Sequence, residues 1–282
     1  MKNLRFTFLF LAILLFAAEG YADNVGIGFG THVGYGVTKY EENTDVFGKD
    51  TESVATLDTV LVGATVEYSL AVPENFYIGA VADLLFGLED VEKWEEDDVK
   101  VQMNDISIDP GIFLDGRLGY KNSVDNFYYR IYGSFGWDGI YFRRKNFKRN
   151  GVSQNADTIT EDFSLWRGGG GLSLGYAIDR WTLDSRAAYS HYFDGEIRNS
   201  SQDGIEFEAK GTCLDFGVGI AYQISERMKL YGGVSYTYIK LDESEVDKNV
   251  TQTGNVIKTT QVVFPDSRTQ ILAGVVNLTF WF

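Results

Sequence analysis

From Val25 onward the hydrophobic positions recur every second residue, and helical periodicity is scarce. In the stretch Val25–Tyr40 one side reads Val25, Ile27, Phe29, Thr31, Val33, Tyr35 and Val37. The other reads Gly26, Gly28, Gly30, His32, Gly34, Gly36 and Thr38. Side chains alternate faces along a strand, so this segment has an apolar face and a nearly bare one. A strand of a soluble sandwich usually sets charge against its apolar face. Glycine in that place suits a narrow, crowded barrel interior.

The same pattern predicts further strands near residues 56–70, 76–88, 106–120, 127–142, 163–178, 181–193, 205–222, 230–240 and 268–282. In the fourth, Ile106, Ile108, Ile112, Leu114 and Leu118 are assigned to the outer face, against Asp109, Asp115 and Arg117. Connections alternate in length. Residues 71–75, 121–126, 179–180 and 224–227 make short turns, whereas 41–55, 89–105, 143–162, 194–204 and 241–266 are long and polar. About ten strands with short turns at one end and long loops at the other predict an all-β fold, a closed antiparallel transmembrane β-barrel. Its short turns belong in the periplasm and its long loops outside.

The N-terminus supports secretion. Lys2 and Arg5 precede an apolar run from Phe6 to Ala18, and Gly20-Tyr21-Ala22 offers small residues for cleavage after Ala22. That run is shorter than the roughly 20 residues a spanning helix needs. Residues 1–22 are therefore expected to be a cleaved signal peptide and 23–282 a single barrel domain in the outer membrane of a Gram-negative bacterium. Composition agrees: 31 glycines, 17 tyrosines and 20 phenylalanines stand against three prolines, and Cys213, the single cysteine, excludes an internal disulfide. A net charge of −15 argues against a nucleic-acid partner. Nothing calls for a metal or a cofactor.

Several groups carry chemistry. Apolar Val276, Leu278, Phe280 and Phe282 alternate to the final residue. This resembles the signature by which barrel-assembly machinery recognises its substrates. Glu67, Asp83, Asp109, Asp115, Arg117, Arg130, Asp138, Arg167, Asp184, Arg186 and Asp215 fall on inward positions. Charges in a narrow lumen are expected to pair into a structural network, because an unpaired buried charge is costly. A water-filled pore would need about 16 strands. Residues 89–98 hold seven carboxylates, read as a solvated outer loop. Arg143, Arg144, Lys145, Lys148 and Arg149 cluster on the third long loop, where they can meet the phosphates of lipopolysaccharide.

Ten strands, five outer loops and a tall rim resemble the omptins, the outer-membrane proteases of Gram-negative bacteria. Phe76-Tyr77-Ile78-Gly79-Ala80 before an acidic second loop, His191-Tyr192 before residues 205–210, and the hairpin at 221–238 carry the resemblance. It implies an omptin-like barrel and an Asp/His endopeptidase site opposite paired carboxylates. The matching positions are His191 with Asp90 and Glu92. The residue two before His191 is Tyr189, so the orienting aspartate is missing, and alternation points His191 toward lipid. The expected function is therefore non-enzymatic: a monomeric barrel in outer-membrane lipid, presenting its loops for surface binding, adhesion or an envelope role. The alternatives are a divergent omptin-type endopeptidase and a small pore.

Overall fold

The computed structural model describes residues 26–44, 51–70, 75–97, 99–154, 157–201, 205–245, 247–253 and 256–282. The expected signal peptide lies outside these. The strands are β1 (Ile27–Thr44), β2 (Thr51–Ser69), β3 (Phe76–Glu96), β4 (Val99–Val124), β5 (Phe127–Arg149), β6 (Val152–Ser153) and β7 (Ile159–Ile178). They continue as β8 (Trp181–Asn199), β9 (Glu206–Glu208), β10 (Gly211–Ser225), β11 (Met228–Leu241), β12 (Asp247–Thr253), β13 (Val256–Val262) and β14 (Asp266–Trp281). Ten of them pair antiparallel in sequence order as β1, β2, β3, β4, β5, β7, β8, β10, β11 and β14. Pairing of β14 with β1, from Gly28↔Trp281 to Asn43↔Asp266, closes the ring. Closure leaves no unpaired edge inside the bilayer, which a lipid-exposed sheet requires. Short β6 and β9 pair antiparallel with β5 and β8, and β12 pairs with β13 in a separate hairpin.

Alternation sorts the two faces as the sequence predicts over the lower half. Val33, Tyr35, Ile78, Leu118, Ile131, Leu183, Val218 and Val276 are exposed on the outside, forming the lipid-facing band. The strands run well beyond it. β4 has 26 residues and β5 has 23. At ~3.3 Å per residue and ~40° tilt, a strand of about 20 residues rises ~50 Å, twice the ~25 Å band. The upper halves thus stand in the extracellular space. On β1 the boundary follows Val37, because the next outward residues, Lys39 and Glu41, form an ion pair at 2.5 Å.

Two expectations change here. Residues 89–96 of the acidic segment and the basic segment 143–149 are not free loops; they continue β3 and β5, and the turn after β3 falls at Asp97. β-Bulges also interrupt the upper ladders, among them one between Ile108 and Gly111 on β4. An extra residue reverses the facing of its successors along the strand. Ile106 and Ile108, expected toward lipid, are therefore buried inside at 0% and 2% exposure.

Candidate functional site

The barrel interior has three levels. Uppermost is a hydrophobic core in the extracellular half. Tyr40, Phe142, Phe163, Phe264 and Phe207 form a row of rings across the mouth, with successive centroids 4.4, 5.4, 5.5 and 6.0 Å apart. They come from β1, β5, β7, the segment before β14, and β9, so the row ties distant strands together. Phe264 is held in place by its backbone, whose N–H donates to Ser244 Oγ at 2.8 Å while its carbonyl accepts from the Ser244 N–H at 3.0 Å. With Leu57, Ile106 and Ile197 packed around it, this core fills the upper lumen among the described residues.

Beside the core sits a buried charge cluster. The Arg144 guanidinium reaches Glu42 at 2.8 Å, Glu92 at 2.7 Å and also Glu161. All four side chains are at most 5% exposed. Tyr40 donates its hydroxyl to Glu42 Oε1 at 2.5 Å, and Asn104 donates to Glu92 Oε2 at 2.7 Å. Three carboxylates around one cation cannot all ionise cheaply. Burial, with repulsion from Glu161 and Glu92, raises the Glu42 carboxyl to about 8 despite Arg144. Burial also pushes on Glu92, but Arg144 and the hydrogen bonds to its carboxylate outweigh that and hold it below the usual range. Glu42 thus keeps the proton at neutral pH.

The middle of the lumen brings some of the inward charges together in an ion network. Arg167 pairs with Asp138 at 2.9 Å and with Asp115 at 3.5 Å. Asp138 also accepts from the Tyr192 hydroxyl at 2.6 Å. Asp115 pairs with Arg117 at 2.5 Å, and Asp215 accepts from Thr237 at 2.6 Å. His32 meets Asp83 at 2.7 Å, in space left free by Gly63. Below lies a cavity of about 370 Å³, lined by Glu67, Tyr128, Arg130, Asp184, Arg186, Lys229 and Trp281 together with the network above. Asp109 does not belong here. The bulge at Ile108/Gly111 leaves it outside, where it pairs with Arg143 at 2.6 Å.

The omptin-type candidates are not brought together. His191 is exposed on the outer face of β8, opposite Thr212 and Gly168, and its neighbour Tyr192 points inward. Asp90 is exposed, whereas Glu92 is fully buried and bound to Arg144. The basic cluster is divided as well. Arg144 lies inside, so it cannot meet lipopolysaccharide. Arg143 and Lys145 pair outside with Asp109 and Glu89, Arg149 lies 3.9 Å from Glu96, and Lys148 is exposed. Val276 and Phe280 face outward, and Phe282 is exposed beside them. The charge box at Arg144 and the His32–Asp83 pair escape the sequence reading. The inward register of β5, running Ser134, Gly136, Asp138, Ile140, Phe142, is the signal that reaches Arg144.

A family model, the autotransporter beta-domain, matches residues 20–235. The chain belongs to this family. Solved structures similar to this β-domain include the outer membrane protease OmpT from Escherichia coli, at 11% identity and a TM-score of 0.66. That likeness covers 94% of this chain and 99% of the other. The translocator domain of the autotransporter NalP from Neisseria meningitidis is 10% identical with a TM-score of 0.39, covering 99% of this chain and 96% of that one. The transport unit of the autotransporter AIDA-I from Escherichia coli is 11% identical with a TM-score of 0.38, covering 97% and 96%. No curated protein matches the sequence. At these identities the likeness to OmpT concerns the fold: the β-domain is an antiparallel outer-membrane β-barrel ringed by ten strands.

Proposed function

We propose that this β-domain, freed of residues 1–22, is a monomeric surface protein of a Gram-negative outer membrane that presents its extracellular strands as a rigid, non-enzymatic binding platform. The filled upper lumen carries this reading. Where a catalytic cleft would open, the described residues place the aromatic row and the Arg144 box, and the histidine of the omptin-like segment faces outward. A base must reach the proton it abstracts, and His191 has no carboxylate partner within 4.0 Å among the described residues. The same filling argues against a small pore and against passage of a polypeptide through this lumen.

Outer-membrane lipid surrounds the apolar band in this reading, with lipopolysaccharide phosphates engaging Arg143, Lys145, Lys148 and Arg149 at the rim. Barrel-assembly machinery would read Val276, Leu278, Phe280 and Phe282 during biogenesis. The deciding experiment incubates the refolded chain with lipopolysaccharide and a panel of peptides with basic cleavage sites. No turnover is expected. Cleavage that disappears in His191→Ala would overturn the proposal in favour of a divergent omptin-type endopeptidase.

A further inference from the structure

Charge is unevenly distributed along the barrel axis. Near the periplasmic ends of their strands, Lys121, Arg130, Arg186 and Lys229 point inward against only Glu67 and Asp184. Glu67 is shared by two of these cations, at 2.7 Å from Lys121 and 2.6 Å from Arg130. Asp184 is taken by the Tyr128 hydroxyl. No carboxylate oxygen lies within 4.0 Å of the Arg186 or Lys229 side-chain nitrogens among the described residues. Arg186 and Lys229 therefore lack a direct ion pair, Asp184 acting on Lys229 only at longer range, and four cations face two carboxylates at this level. The other lumen arginines, Arg117, Arg130 and Arg167, all have a carboxylate partner.

The wall is shaped around these groups. A Cβ on Gly217 would stand 2.8 Å from Arg186 Nε, and one on Gly219 would stand 2.5 Å from the Tyr231 hydroxyl oxygen. Glycine thus lets the Arg186 stem and the Tyr231 ring lie flat against the barrel, leaving the space between them open. Above, the ion network and the aromatic row stand between the cavity and the extracellular end.

We propose that this vestibule binds a small phosphorylated solute from the periplasm, with Arg186 and Lys229 holding the phosphate and Tyr231 donating a hydrogen bond. A phosphate monoester carries about −1.5 to −2 at neutral pH, matching the excess of two cations over carboxylates at this level, whereas a monocarboxylate would leave one unmatched. The cavity volume of about 370 Å³ falls in the range of small-ligand sites, roughly 300–1,000 Å³. Asp184 opposes an anion, but its hydrogen bond from Tyr128 draws it toward the wall.

The test titrates glycerol phosphate into the refolded full chain in detergent at low salt, following calorimetric heat and the fluorescence of Trp281, which lines the cavity. Saturable binding is expected, weakened at least tenfold by Arg186→Gln and by Lys229→Gln and unchanged by Lys210→Gln at an exposed position remote from the cavity. Heat-modifiable migration on a gel establishes that each variant is folded. Should Arg186→Gln not fold, Arg186→Lys and a thermal shift of the unaltered chain by glycerol phosphate over glycerol replace it. Absent or non-saturable binding, equal weakening by Lys210→Gln, or tighter binding of succinate than of glycerol phosphate would overturn the proposal. None of these results bears on the extracellular platform, whose test is peptide turnover.

Discussion

Replacing Arg144 with methionine keeps most of the side-chain volume and removes the cation from among Glu42, Glu92 and Glu161. Opposite charges ~4 Å apart attract by about 4 kcal/mol at an effective dielectric near 20, so with Glu42 protonated the other two partners supply roughly 8 kcal/mol before costs. Desolvating the buried charges and crowding the carboxylates cancel most of that sum. Removing one member of a buried pair typically costs 3–5 kcal/mol, because the survivors stay buried without compensation. Protonation of the stranded carboxylates caps the loss near this value. At about 2–4 °C per kcal/mol for a chain of this size, the transition from compact to unfolded gel migration should fall by roughly 10 °C. An Arg144→Met barrel melting within about 2 °C of the parent at pH 7 would refute the reasoning.

The proton on Glu42 gives the same box a pH signature. Its carboxyl is raised from 4.5 to about 8 on folding, so between these values the folded chain holds a proton that the unfolded chain releases. The stabilisation is complete below about 4.5 and is lost as the pH climbs to about 8. Glu92, held low, contributes the opposite limb: its stabilisation is present above the ordinary carboxylate range and lost on acidification through its lowered value. Glu42→Gln mimics the protonated state. It should leave stability at pH 5 nearly unchanged and flatten the decline toward pH 8; an unaltered decline in that variant would place the proton elsewhere.

Phe264→Ala removes the central ring of the aromatic row, which is 3% exposed, and should cost about 3–5 kcal/mol. Planar bilayers containing that variant should show conductance steps absent from the parent, and an equally silent variant would mean the row does not seal the mouth. Gly36→Val should abolish the heat-modifiable folded form, because a Cβ there would overlap the Leu272 carbonyl across the β1–β14 closure; normal folding would show that this seam can shift. Phe282→Ala is expected to slow membrane assembly in cells while leaving refolding into detergent unaffected, which comparing the two folded yields measures.

The lower half of the barrel is legible in the sequence because one rule governs it. Between a lipid face and a narrow lumen, strict alternation from Phe127 to Trp137 or from Trp181 to Tyr189 leaves each residue a single side, and no bulge interrupts these runs. Above the membrane the rule loses its anchor. Water replaces lipid outside and a hydrophobic core replaces the polar lumen inside, so composition no longer tells one face from the other. Ile106 and Ile108 resemble lipid-facing residues by type yet fill the core, and the bulge that puts them there sends Asp109 outside.

Arg144 is hidden in the sequence for a related reason. Its neighbour Arg143 is exposed and Lys145 half-buried, and a run of cations reads as a solvated loop. Yet β5 remains in register with β7 through Arg144↔Ile159, so the inward series of Ile140 and Phe142 continues to it. An inward arginine that high demands carboxylates at the same level on other strands, and Glu42, Glu92 and Glu161 stand there. Assigning Glu92 a catalytic role removes one of those partners and strands a buried cation. Assigning it to Arg144 leaves every member of the box with a partner, which is why this acidic strand supports the extracellular fold.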